Sequence, residues 1–259
     1  ADYSFTGEDT GDQVGISVSS AGDVVRDGLD DILIGAMYND DGGYNAGKTY
    51  LISGASLGSL GSNSENCLSV ADYSFIGEDA GDYSGGSVSS AGDIDGDGIS
   101  DILIGAYGND DGGMDSGKAY LIFGSSLGYT FSINLSSADY SFIGENGNDL
   151  LSGSVSSAGD VNGDGFDDIL IGAYGNDDAG SDAGKAYLIF SSSLGSSDTI
   201  NVSTADYSFI GDDDNDYAGI SVSSAGDVDG DGFDDVLIGA YLNNDGGTAA
   251  GKVGLFKAC

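Results

Sequence analysis

Carboxylates crowd four short segments of this chain: residues 23–31 (DVVRDGLDD), 93–101 (DIDGDGISD), 160–168 (DVNGDGFDD) and 227–235 (DVDGDGFDD). Together they hold 17 of its 44 acidic residues, and like charges this close repel unless a cation joins them. In the pattern D-x-D-x-D-G-x-x-D, side chains at positions 1, 3, 5 and 9 and the main-chain carbonyl at position 7 can surround one ion. Glycine at position 6 permits the turn that brings them together. The candidate ligands are Asp93, Asp95, Asp97, Ile99 and Asp101 in the second loop, and Asp160, Asn162, Asp164, Phe166 and Asp168 in the third. In the fourth they are Asp227, Asp229, Asp231, Phe233 and Asp235.

An all-oxygen set of this kind suits calcium better than magnesium. An apolar run follows position 9 directly and no Glu stands at position 12, so these are loops of a β-hairpin rather than EF-hands. The first loop offers only Asp23, Asp27, Leu29 and Asp31, because Val25 stands at position 3, and Arg26 follows at position 4. Three calcium ions and a weak or absent fourth are expected, with Arg26 either opposing the ion directly or pairing with Asp23 or Asp27 in its place. The alternative is a solvated acidic loop without an ion. The chain has no His and nothing near the loops resembles an activating base, so any metal is expected to be structural and the chain not an enzyme.

The loops must be positioned by the elements around them, and those elements repeat. The acidic segments begin at Asp23, Asp93, Asp160 and Asp227, each preceded by SVSSAGD and followed by LIGA. Each unit also has a GK pair at Lys48, Lys118, Lys185 or Lys252, and each is preceded by ADYSF from Ala1, Ala71, Ala138 or Ala205. SVSSA, DILIGA, KAYLIF and DYSFIG read as strands, DILIGA being apolar enough for burial on both faces, and no segment sustains a helical period. The 47 glycines argue against long helices. Four-stranded units repeated along a chain of 259 residues predict an all-β, β-propeller fold, with a stacked solenoid as the competitor.

The order F-x-G, G-x-S-V, D-x-D-x-D-G-x-x-D and L-I-G-A resembles the FG-GAP repeat of the integrin α-subunit propeller, over nearly all 259 residues. The resemblance implies SVSSA innermost, DILIGA second, KAYLIF third and DYSFIG outermost, structural calcium, and a ligand surface on the opposite face. Two departures stand out: the family's GAP proline is absent, and propellers of that family usually have more than four blades. Residues 2–6 carry an outermost strand with no preceding strands, whereas the last unit stops after GKVGLF. The expectation is one domain over 1–259, a propeller of four four-stranded blades closed by docking the N-terminal strand onto the last blade.

A second acidic set, NDDGG and its variants with GEDTGD and its variants, belongs at the opposite rim and reads mainly as soluble hairpin turns. Tyr107, Tyr174 and Tyr241, with Tyr38 displaced by one residue, begin those rim hairpins and either stack on a ligand or cap the blade cores. The four GK lysines are expected to neutralise neighbouring carboxylates. A net charge of -38 excludes nucleic acid and anionic lipid as partners, and no run of apolar residues is long enough to insert in a membrane. Without a signal peptide the chain reads as a processed or excised soluble piece, and Cys67 and Cys259 as a possible pair. The expected function is a monomeric, extracellular, calcium-binding module for adhesion or recognition of a protein or glycan ligand on the cell surface or matrix. A lectin is the alternative, and an accessory propeller of a polysaccharide-degrading enzyme a more distant one.

Overall fold

A computed structural model describes residues 3–60 and 64–258. Its strands, numbered in chain order, begin with β1 (Tyr3–Thr6), β2 (Val18–Gly22), β3 (Asp31–Ala36), β4 (Lys48–Ile52), β5 (Ser64–Cys67) and β6 (Tyr73–Ile76). The second repeat gives β7 (Ser87–Gly92), β8 (Asp101–Ala106), β9 (Lys118–Ile122), β10 (Ser132–Asn134) and β11 (Tyr140–Ile143). The third gives β12 (Leu151–Gly159), β13 (Asp168–Ala173), β14 (Lys185–Ile189), β15 (Thr199–Asn201) and β16 (Tyr207–Ile210). The fourth gives β17 (Ala218–Gly226), β18 (Asp235–Ala240) and β19 (Lys252–Phe256).

The sheets run β2-β3-β4-β6, β7-β8-β9-β11, β12-β13-β14-β16 and β17-β18-β19, in the strand order expected from the repeat. Each is antiparallel, as β8 shows by pairing Ile102 with Ile122 and Ala106 with Lys118 across β9. Strand period explains the stacking of the sheets. In the DILIGA strands alternate residues face opposite neighbours: Ile102 and Ile104 pack back on Leu33, Leu51 and Phe75, whereas Leu103 packs forward with Leu121 and Phe142 on Ile169 and Ile171. The six residues of β8 are all buried, which is why the run has no polar interruption after Asp101. A Cβ at Gly105 or Gly172 would strike the backbone of the next sheet, so the glycine of LIGA sets how closely sheets approach.

The inner strands β2, β7, β12 and β17 pack side by side in that order. Small residues make this possible: the Ser87 hydroxyl accepts from the Val155 amide and the Ser154 hydroxyl from Val222, each at 3.1 Å. This all-β arrangement of three units with four antiparallel strands each, followed by a three-stranded one, is consistent with a β-propeller.

Two features differ from expectation. A fifth strand, in the connection after the third, adds in parallel to the outer strand of the preceding sheet: β10 to β6 and β15 to β11. That same local rule governs β1, which pairs in parallel with β5 and aligns Phe5 with Asn66 as Phe75 aligns with Ile133. The expected docking of β1 onto the last repeat is not seen: β1 pairs with β5 alone, and β19 has no further strand beside it among the described residues. Cys67 is exposed on β5, and Cys259 lies outside the described residues, as does the expected pairing of the two.

Candidate metal loops and the opposite rim

The acidic loops join the first strand of each sheet to the second, so position 9 is the first residue of β3, β8, β13 or β18. Asp101 is fully buried there; its Oδ2 accepts from the Ile94 amide and its Oδ1 from Gly124, both at 2.9 Å. Asp31, Asp168 and Asp235 repeat the arrangement. Burial pushes the Asp101 carboxyl up to about 7 and that of Asp168 up to about 6, against the amide hydrogen bonds that pull both down. Asp31 is raised for the same reason.

Position 1 folds the turn. Asp93 Oδ2 accepts from Gly98 N–H at 2.9 Å, and Asp227 holds the amides of Gly230, Asp231 and Gly232. Positions 1, 3 and 9 converge in two loops: oxygens of Asp93, Asp95 and Asp101 lie within 4.8 Å of one another, and so do those of Asp227, Asp229 and Asp235. Asp97 and Asp231 lie in the same turns, each accepting from the amide at position 7, that of Ile99 or Phe233. Asp93 Oδ1 is buried with no hydrogen-bond partner. Three acids that bring an oxygen each this close, one of them with a buried oxygen lacking a partner, suit a hard divalent cation.

The third loop has Asn162 at position 3, whose amide donates to Asp168 at 3.5 Å, while Asp160 holds Gly163, Asp164 and Gly165 and Asp164 holds Phe166. In the first loop Asp23 holds the Asp27 and Gly28 amides and Asp27 that of Leu29, but Val25 leaves position 3 without an oxygen. Arg26 has a φ of 61°, in the left-handed region that glycine occupies at the equivalent Gly96. Its guanidinium reaches Asp97 of the second loop at 3.3 Å rather than Asp23 or Asp27. That corrects the expected pairing: the backbone amides of its own loop already engage Asp23, and the extended side chain meets the next loop instead.

Sequence reasoning overlooked three contributors. Asp167 Oδ2 accepts from the Asp93 amide at 2.9 Å and Asp234 Oδ2 from the Asp160 amide at 3.0 Å, so position 8 of one loop clamps position 1 of the loop before it. The FDD doublets were the signal. Lys257 donates to Asp229 at 3.0 Å, and this hydrogen bond holds the Asp229 carboxyl below the usual carboxylate range.

At the far ends of the second strands lies the acidic rim. Lys118 joins Glu78 at 3.0 Å and Asp111 at 2.8 Å; Lys48 joins Glu8 and Asp41, Lys185 joins Glu145 and Asp178, and Lys252 joins Asp212 and Asp245. Burial opposes the Lys118 charge, but the hydrogen bonds to Asp111 and Glu78 outweigh it and leave its pKa above the ordinary lysine value. The amides of Asn39, Asn109, Asn176 and Asn243 donate to Asp12, Asp82, Asp149 and Asp216. Much of the rim charge is thus spent inside the fold.

Tyr38 meets Tyr83 edge-on at 5.6 Å, and Tyr83 stacks on Tyr107 at 5.2 Å. Tyr217 lies 6.4 Å from Tyr174 and 5.6 Å from Tyr241. Tyr107 and Tyr174 are half-buried over Gly86 and Gly153, where a Cβ would meet each ring, and Tyr241 is exposed. Burial pushes the Tyr107 hydroxyl up to about 12, with Tyr38, Tyr174 and Tyr83 adding to it. Tyr83 and Tyr217, also unforeseen, have φ of 55°, a costly backbone for a bulky residue.

Residues 84–122, 152–189 and 218–256 match the FG-GAP repeat, each match covering the first three strands of a sheet around an acidic loop. Integrin alpha-5 of Xenopus laevis is 29% identical over 235 residues, covering 88% of this chain and 20% of the relative. Integrin alpha-PS2 of Drosophila melanogaster is 33% identical over 132 residues (49% of this chain, 9% of the relative), and integrin alpha pat-2 of Caenorhabditis elegans 31% over 169 (60% and 12%). The chain thus spans a fifth or less of these relatives. Three matched repeats, the strand order within each sheet and this likeness together support an FG-GAP-repeat, integrin-α-like protein.

Proposed function

We propose that this chain is a calcium-stabilised extracellular propeller segment that recognises a protein ligand on the cell surface or matrix. The observation that carries the metal is the convergence of carboxylate oxygens of Asp93, Asp95 and Asp101 within 4.8 Å of one another, repeated by Asp227, Asp229 and Asp235. Asp160, Asp164 and Asp168 with Asn162 supply the third set, and Ile99, Phe166 and Phe233 a carbonyl each. Calcium would supply charge neutralisation, holding together carboxylates that otherwise repel and cross-linking the strands on either side of each loop. The first loop, with Asp23, Asp27, Leu29 and Asp31, contributes at most a weak site. All of this is structural chemistry, and no residue of the loops is assigned a catalytic role.

The recognition surface is the tyrosine arc, Tyr107, Tyr174 and Tyr241 joined by Tyr38, Tyr83 and Tyr217. It lies at the opposite ends of strands that begin at the loops, about 20 Å away for six residues. Half-exposed aromatic rings over a polar rim are the composition of a protein-binding face. Calorimetric titration of chelator-treated protein with calcium should give three equivalents, and cells should adhere to immobilised chain less well after Tyr107→Ala and Tyr174→Ala together. Absence of calcium uptake refutes the metal assignment; unchanged adhesion by the double variant refutes the surface.

A further inference from the structure

We propose that the loops of the second, third and fourth repeats bind calcium cooperatively, with position 8 of each loop as the positioning residue for the loop before it. The coupling presupposes the metal reading above and adds to it that the sites are not independent. Its basis is a two-bond clamp between repeats. Asp234 Oδ2 accepts from the Asp160 amide at 3.0 Å, and the Asp234 amide donates to the Asp160 carbonyl at 3.0 Å. Asp167 holds Asp93 in the same way, at 2.9 Å through its carboxylate and 3.3 Å through its amide.

A ring contact runs beside each clamp. Phe233 lies over Gly163 and Phe166 over Gly96, both glycines at position 4 of the preceding loop, where a Cβ would strike the ring. The first junction lacks the clamp. Ser100 stands at position 8 of the second loop, close against Gly22, and makes neither bond to Asp23 among the described residues.

Position 8 lies between two ligand positions of its own loop. Phe233 offers a carbonyl and Asp235 a carboxylate to one ion, and Asp234 between them reaches back to Asp160, the position 1 ligand of the third loop. An ion that fixes residues 233 and 235 therefore fixes the clamp, and the third loop then loses less freedom when it closes on its own ion. The coupling is reciprocal, so calcium in the third loop also tightens the fourth. Coulomb's law alone gives the opposite sign, because a cation in one loop repels a cation in the next.

The test is a calcium titration of the whole chain followed by amide NMR. Gly98, Gly165 and Gly232 each donate to the position 1 aspartate of their own loop, so each amide reports its own site. Asp229 is exposed, and Asp229→Val copies Val25 of the first loop. It should disable the fourth site and raise the calcium midpoint at Gly165 by about fivefold or more. Coulomb's law alone predicts a lower midpoint, since the variant loses one negative charge and the ion's two positive ones. Asp234→Ala should raise the Gly165 midpoint by itself, and Asp229→Val added to it should produce little further change there. Asp234→Asn, which keeps a neutral acceptor for the Asp160 amide, should restore most of the parent midpoint. A Gly165 midpoint that is unchanged or lowered by Asp229→Val overturns the coupling and leaves the metal reading standing. Asp234→Asn as weak as Asp234→Ala assigns the effect to charge and also overturns it. No calcium-dependent shift at any of the three glycines overturns the metal reading, and the coupling with it.

Discussion

Removing calcium should make the protein more stable as the solution is acidified, and Asp101 sets the magnitude. Its carboxyl is fully buried and pushed up to about 7, against 3.8 for an ordinary aspartate. A group whose folded-state pKa is raised contributes stability that is present below its unfolded value and is lost as pH rises through the folded one. In chelated protein at pH 8, keeping Asp101 ionised therefore costs up to about 4 kcal/mol at about 1.4 kcal/mol per tenfold, and solvent near the loop mouth reduces this to about 2. Only the two tenfolds between pH 7 and 5 fall inside the window from pH 8 to 5, about 3 kcal/mol before that reduction and about 1.4 after it, so at 2–4 °C per kcal/mol for a chain of this size Tm should rise by about 3–11 °C. Asp168, raised to about 6, adds in the same direction over a lower window. Calcium favours the ionised form, so its stabilising effect should be largest at pH 8 and shrink on acidification. Relief of the general repulsion of a -38 chain acts in the same direction. The control is Asp101→Asn, which keeps an acceptor oxygen but cannot titrate; it should raise the chelated Tm at pH 8 and flatten the slope. A chelated Tm that falls from pH 8 to 5.5, or an Asp101→Asn slope equal to the parent's, would refute the reasoning.

Lys118→Met, which leaves Glu78 and Asp111 facing each other beside buried Tyr120, should cost about 3–5 kcal/mol in urea unfolding, whereas Lys252→Met at the exposed equivalent should shift the unfolding midpoint far less. Asp167→Ala removes the acceptor of the Asp93 amide and should destabilise by about 1–3 kcal/mol, with faster hydrogen exchange at that amide than at Ile94. Val25→Asp with Arg26→Gly supplies the missing ligand and removes the left-handed arginine, and calorimetry should then show one further calcium equivalent.

Much of this was legible in the sequence because its causes are local. The strand segments of each unit followed from four in-register copies of short patterns, and their order within each sheet from the resemblance to the FG-GAP repeat. The turn-forming acids likewise need only neighbours a few residues away. What only the tertiary structure decided involves residues from different repeats. Arg26 meets Asp97 across 71 residues, Asp167 meets Asp93 across 74, and Tyr83 of the second repeat stacks with Tyr107 while touching Tyr38 of the first. The N-terminal strand pairs with β5 and not with β19, although β6 and β11 hold both kinds of partner at once, and such pairings between distant segments depend on how the sheets are placed rather than on any local pattern.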